Sequence, residues 1–239
     1  MKFPPYFEYL KKPEITWFHP CWGYYGFKER LSSFQREMGV DFLTAWNHRK
    51  MKRNKEIYAI SMVALSMRKD VPVEHGWWFT KPDHDPPDGL IATLVEDKSK
   101  DGNILHGREV EVMEYFGGSL LDAIRRKLRN KSYEENTMLV CLLSPENISF
   151  FNFKQLSEEI KRESLPLKHI FAIGHGALES DNMENIEKVT SILFIQLSPI
   201  FTAISTSPDI YCEKLKKKEE CAWLKFDKIG RGTGLKKLL

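Results

Sequence analysis

Asp88-Gly89-Leu90-Ile91-Ala92-Thr93-Leu94-Val95 and, after a polar gap, Arg108-Glu109-Val110-Glu111-Val112-Met113-Glu114-Tyr115-Phe116 are the two runs whose reading decides the fold. Both are short and rich in apolar and β-branched residues. Both are bounded by turn formers, with Pro86-Pro87 before the first and Gly117-Gly118 after the second. That combination predicts strands at 88–95 and 108–116, joined by a polar hairpin loop at 96–103. Working outward, Gly76-Trp77-Trp78-Phe79-Thr80 reads as an earlier strand ended by the turn Lys81-Pro82-Asp83-His84-Asp85-Pro86-Pro87. Before it, residues 54–68 carry Ile57, Ile60, Met62, Val63, Ala64 and Met67, the broad apolar face of a well-buried helix. On the other side, Ser119 caps a helix, Asp122 completes an approximate capping box, and Leu120, Leu121, Ile124 and Leu128 form the core stripe. Thr137 to Leu143 is a buried strand by composition. The order is helix, three strands, helix, strand. It defines an α/β protein with a central mixed β-sheet flanked by helices.

The flanks are less regular. Trp17-Phe18-His19-Pro20-Cys21-Trp22-Gly23-Tyr24-Tyr25-Gly26 reads as an irregular packed loop, followed by a helix over 27–38 that Gly39 stops. Beyond the core, the pattern gives a helix at 153–163, a strand at 169–173 and a β-rich stretch at 192–205 split by Pro199. The tail from Cys212 is basic and reads as mobile. With no repeat and no clear linker, the 239 residues are read as a single domain: an aromatic-rich elaboration at 1–50, a core at 54–143, and a completing segment with the basic C-terminus at 144–239.

Composition narrows the function classes. Hydrophobic residues make up 42%, enough for a real core. No stretch approaches the roughly 20 apolar residues of a membrane span, and the start has no apolar run before a small-residue cleavage site. A cytoplasmic protein without membrane contact is the expectation. Cys21, Cys141, Cys212 and Cys221 form no CxxC pair and read as free core thiols. Net charge is only +3, but Lys and Arg cluster at 48–55, 125–131 and 214–218 and in the tail. Such clusters bind phosphate backbones or simply form solvated helix faces.

The chemistry concentrates in the acids. Glu109 and Glu111 are two apart on one strand and so share a face. If the 88–95 strand pairs with theirs, Asp88 joins them. Crowded carboxylates raise one another's pKa. A divalent cation removes that conflict, and hard oxygen ligands with water left over suit Mg²⁺, or Mn²⁺. Such an ion polarises a phosphoryl oxygen and activates a water.

Pro87-Asp88 followed by Glu109-Val110-Glu111 on the next strand, within the order αβββαβ over residues 54–143, resembles the PD-(D/E)XK nuclease superfamily, the restriction-endonuclease-like fold. The resemblance implies a metal-dependent endonuclease that hydrolyses DNA phosphodiester bonds, of the restriction or mobile-element-defence type. Asp88 and Glu109 match the two acidic positions and would be metal ligands. Glu111 stands where the superfamily usually has Lys, a departure that some restriction enzymes share. The water-orienting residue is then either Glu111, itself a further ligand, or a migrated Lys127 from the following helix. Glu56, early in the preceding helix, matches a further acidic position of many members. Arg125, Arg126 and Arg129 would contact DNA phosphates, and cutting both strands favours a symmetric homodimer. The alternative is a non-catalytic nucleic-acid-binding or assembly protein with a degenerate nuclease fold, for which the missing Lys speaks.

Other features carry less. His75, His84 and His106 flank the strands without a zinc spacing. Gly174-His175-Gly176 lacks a phosphate-loop or serine-elbow pattern and reads as a turn. Trp77-Trp78 invites base stacking, but alternation puts one ring in the core and the other partly outside.

Overall fold

A computed structural model describes residues 17–67, 76–81, 87–97, 102–129, 132–133, 136–146, 151–175, 192–210 and 212–213. The expectations for His75, His84, Cys221, the 214–218 cluster and the C-terminal tail lie outside those residues. The chain opens with α1 (Pro20–Met38), α2 (Phe42–Asn47), a 3-10 turn (Arg49–Met51) and α3 (Lys52–Met67). Strands β1 (Trp78–Thr80), β2 (Gly89–Asp97) and β3 (Gly102–Tyr115) follow. Then come α4 (Leu120–Leu128), β4 (Met138–Leu143), α5 (Phe153–Arg162), β5 (His169–His175), β6 (Ile192–Ser198) and β7 (Thr202–Thr206).

The seven strands form one sheet in chain order. β1, β2 and β3 are an antiparallel meander, β3, β4 and β5 run parallel, and β6 and β7 return antiparallel. The two parallel steps need crossovers, supplied by α4 and α5. Both steps move the same way across the sheet, so right-handed crossovers put both helices on one face. There Leu120, Ile124 and Leu128 of α4 and Leu156 and Ile160 of α5 pack on Leu139, Cys141 and Ile170. The opposite face is covered by α1 and α3, with Tyr24, Phe27, Tyr58, Ile60 and Val63 against Ile91, Val110, Val112 and Val140. The result is a three-layer α/β/α molecule in which each fully buried Ile or Leu contributes roughly 1.5–3 kcal/mol. Among the described residues no helix is long and apolar enough to cross a membrane. Cys21, Cys141 and Cys212 are buried free thiols.

Four local readings are corrected. The segment read as an irregular loop is helical from Pro20, because Pro20 suits the first helical turn and the His19 ring accepts the Cys21 N–H at 3.2 Å. Cys21, Tyr24, Phe27, Leu31 and Phe34 then form one buried stripe. Gly23 allows α1 to lie against α3, since a Cβ there would sit 2.5 Å from the Ser61 Cβ. The hairpin is longer than expected, pairing as far as Asp97 with Gly102. Trp77 and Trp78 are both buried. The 17–19 segment covers β1 from outside, with Phe18 bridged to Phe79 and His19 edge-on to Trp78 at 5.4 Å. Finally, β5 runs through Gly174 to His175 instead of turning at 174.

Candidate functional site

The hairpin register decides which acids meet. Gly89 pairs with Val110 and Leu90 with Glu109, so one step further Asp88 stands opposite Glu111. Directly opposed residues of an antiparallel pair share a face. That face is the one α4 covers. Asp88 sits in the turn just before β2, and its Oδ2 accepts the Val112 N–H at 2.7 Å. Glu111 is 3% exposed. Lys127 reaches it from α4, with Nζ 2.9 Å from Glu111 Oε2, and also donates to Val112 O at 3.4 Å. Ile124 and Leu128 pin α4 to the sheet. Lys127 lies three residues after Ile124, on the flank of that stripe, where its apolar stem runs along the sheet before the ammonium meets the strand. Tyr133 donates to Lys127 O at 3.3 Å.

The electrostatics are those of neighbouring anions, with one cation paired to Glu111 and felt by Asp88. Burial raises the Asp88 pKa above the ordinary carboxyl value; the Val112 N–H opposes this, Glu111 and Glu56 add to it, and Lys127 counters. Burial also works against the Lys127 ammonium, but the Glu111 hydrogen bond and charge, with Asp88 behind them, hold its pKa above the usual lysine value. Lys127 is therefore a charged donor at neutral pH.

The remaining expected residues lie around this pair. Glu109 is one face-sharing step down β3 and accepts a hydrogen bond from Thr137 Oγ1 at 3.3 Å. It is Glu111, not Glu109, that faces Asp88. Glu56 of α3 is held by Lys81, 2.9 Å away, and by Lys52 at 3.8 Å. Lys81 Nζ also donates to the Asp88 carbonyl at 3.0 Å, tying Glu56 to the turn that carries Asp88. On the other face of β3, Glu114 pairs with Lys55, which is 2% exposed and so is no solvated member of the 48–55 cluster. Lys81, Tyr133 and Thr137 had no motif to mark them. Thr137 is identifiable only once the β3–β4 register places it opposite Glu109.

The donors Asp88 and Glu111, with Glu56 within electrostatic reach, are hard carboxylate oxygens, the ligand type of Mg²⁺ and Mn²⁺. Burial, and after it the charges of Glu111 and Glu56, raise the Asp88 pKa, and a divalent cation would favour the charged carboxylate against both. In chemistry, then, the set fits such an ion. As the side chains stand, no three His, Cys, Asp or Glu among the described residues are gathered to hold one.

The arginines of α4 are elsewhere. Arg125 is bound by Glu163, with Nε at 2.9 and 3.0 Å from its two oxygens, and by Asp122 at 2.6 Å. Arg126 and Arg129 are exposed and, with Asp122, Arg125, Leu128, Leu165 and Pro166, line an open cavity of about 630 Å³. Comparison with protein-family models, with curated proteins and with solved structures finds no match.

Proposed function

We propose that Asp88, Glu111 and Lys127 form the active site of a metal-dependent DNA endonuclease with a restriction-endonuclease-like core, acting in the cytoplasm. The observation that carries this reading is the Lys127 ammonium 2.9 Å from Glu111, on the sheet face where Glu111 opposes Asp88. A lysine of α4 meets an acid of β3 that stands opposite an acid in the turn before β2, within the element order αβββαβ. In this reading Asp88 and Glu111 are the acidic pair, Lys127 takes the place of the superfamily's lysine from the following helix, and Glu109 is peripheral. A bound Mg²⁺ or Mn²⁺ would polarise a phosphoryl oxygen and lower the pKa of a water. Asp88 and Glu111 supply the anionic oxygens that would hold it. Lys127, freed from Glu111, donates to the attacking water or to a non-bridging phosphoryl oxygen. Arg126 and Arg129 offer exposed cations to the phosphate backbone, whereas Arg125 is already neutralised. Two copies related by a two-fold axis would cut both strands.

The test is cleavage of duplex DNA with Mg²⁺ or Mn²⁺. Asp88→Asn and Glu111→Gln should each abolish cutting while leaving the circular dichroism spectrum unchanged, and Glu109→Gln should retain activity. Wild-type protein that cuts neither duplex nor single-stranded DNA overturns the proposal. A second reading has its own observation. Glu111 is neutralised internally by Lys127, as in a protein that keeps the constellation for stability and binds nucleic acid without cutting it. Calorimetry separates the two, because only the nuclease reading requires Mg²⁺ or Mn²⁺ binding that Asp88→Asn removes.

A further inference from the structure

On the face of β3 turned away from the acids lie three nitrogen-bearing side chains that no carboxylate among the described residues pairs with. His106 and Arg108 are two apart on β3 and share the face of Val110 and Val112, the one covered by α1 and α3. His169 opens β5 on that face, because Val110 pairs with Met138 and Met138 with His169. Two strand spacings and one two-residue step separate the α-carbons of Arg108 and His169 by about 12 Å, a span that an arginine side chain largely bridges. β4 starts only at Met138, so the row of Arg108 has no strand residue between β3 and β5, and Asn136 there is exposed.

Arg108 is half-buried, and its Nε is shut off from solvent with no hydrogen-bond partner. Among the described residues no carboxylate pairs with its guanidinium. The half-buried rings of His106 and His169 both feel it: burial and then the Arg108 charge lower both pKa values, with Lys168 adding to the effect at His169. The edge of Trp77 packs on His106, with ring centroids 5.9 Å apart, and helps fix that imidazole. A half-buried guanidinium whose Nε–H is shut off from solvent without a partner costs stability. Its planar fork, on the same sheet face as two further ring nitrogens that feel its charge, suits a tetrahedral oxyanion.

We propose that Arg108, His106 and His169 form an oxyanion site that takes a phosphoryl group, either as free phosphate or as a nucleic-acid 5′-phosphate. The site is on the opposite sheet face from the acids and does not depend on the nuclease reading. Isothermal titration with sodium phosphate, against sodium chloride at matched ionic strength, reads it directly. Wild type should bind phosphate in preference to chloride, and Arg108→Met should weaken binding by about tenfold or more, the loss of a charge-assisted hydrogen bond. Arg108→Lys should retain part of it. Oligodeoxynucleotides with and without a 5′-phosphate distinguish the sources: preference for the phosphorylated strand identifies a nucleic-acid end, and equal binding identifies the free ion. If Arg108→Met does not fold, His169→Gln and Arg108→Lys give the same comparison. Absence of phosphate binding by the wild type, or affinity unchanged in every folded variant, overturns the site.

Discussion

Replacing Lys127 by Met keeps the length of the apolar stem and removes the charge that pairs with Glu111. At 2.9 Å from Glu111 and an effective dielectric of about 20, the Coulomb attraction is about 6 kcal/mol before desolvation is subtracted. Glu111 stays buried in the variant, and removing one partner of a buried pair typically costs about 3–5 kcal/mol. The Lys127 side chain is 22% exposed, so water already screens part of the pair and the lower half of that range applies. The expected loss is about 3 kcal/mol at neutral pH, read as a lower urea midpoint with an unchanged slope. Two controls assign the loss to charge. Adding Glu111→Gln to Lys127→Met should return about 2 kcal/mol, because the orphaned carboxylate is gone. Acidification should shrink the difference, since Asp88, already raised by burial and by Glu111, loses the Lys127 contribution that opposed the rise and takes up a proton more readily. A loss below about 1 kcal/mol, or a double variant no more stable than the single one, would refute the reasoning. Lys127 would then be a tethered surface charge.

Two further outcomes test the frame around the site. His175 lies parallel to Tyr58 with ring centroids 6.0 Å apart and edge-on to Trp46 at 5.3 Å, and burial pushes its pKa from 6.5 down to about 4. A depressed folded pKa gives stability that is present above 6.5 and lost as the pH falls through 4. Titration of His175 should therefore cost wild type about 3 kcal/mol over that window, beside the smaller parts set by His106, His169 and Asp88, and His175→Phe should remove that share of the slope; an unchanged acid limb would sink this assignment. Gly23→Ala should destabilise by about 1–3 kcal/mol, because its Cβ would meet Ser61 Cβ at 2.5 Å, and a variant melting within about 2 °C of wild type would contradict the close α1–α3 contact.

The strands around the acids were legible because Val110 and Val112 alternate with Glu109 and Glu111 beside a proline-bounded start at Asp88. Which glutamate faces Asp88 was not. That depends on the register, and a hairpin read with eight polar residues between its strands fixes none. Pairing extends to Asp97 and Gly102, and the sum of paired positions then puts Glu111, not Glu109, across from Asp88. A two-residue slip would have reversed the roles without moving either glutamate to the other face. Lys127 was visible as a cation on the next helix, but its direction follows from how Ile124 and Leu128 seat α4. Lys55 was hidden within a basic run, and only the packing of α3 on β3 turns it inward to Glu114. The 17–26 segment reads as a loop from sequence because Pro20, Gly23 and Gly26 fall within ten residues. Pro20 in fact starts the helix, and Gly23 is the contact that lets it dock.

Strand alternation on β3 puts the two proposed sites, of opposite sign, on adjacent residues. Glu109 and Glu111 project to the α4 side, whereas His106 and Arg108 project to the α3 side. Arg108 and Glu111 are three residues apart and on opposite faces, so their charged ends are separated by more than about 10 Å of strand length alone. At that distance an effective dielectric of about 20 leaves under about 2 kcal/mol per unit charge pair, and the roughly 8 Å screening length at physiological salt reduces it for the exposed portions. The sign is favourable, because a cation added on one face and an oxyanion on the other attract each other. Any coupling between metal and phosphate binding should therefore be positive and small, and it should fade as salt is raised. Each site holds its own charge imbalance, Asp88 and Glu111 beside one lysine on one face and, on the other, a guanidinium that no carboxylate among the described residues pairs with. Binding at one site cannot remove the imbalance at the other, so the two ligands need not be bound together for either to be detected.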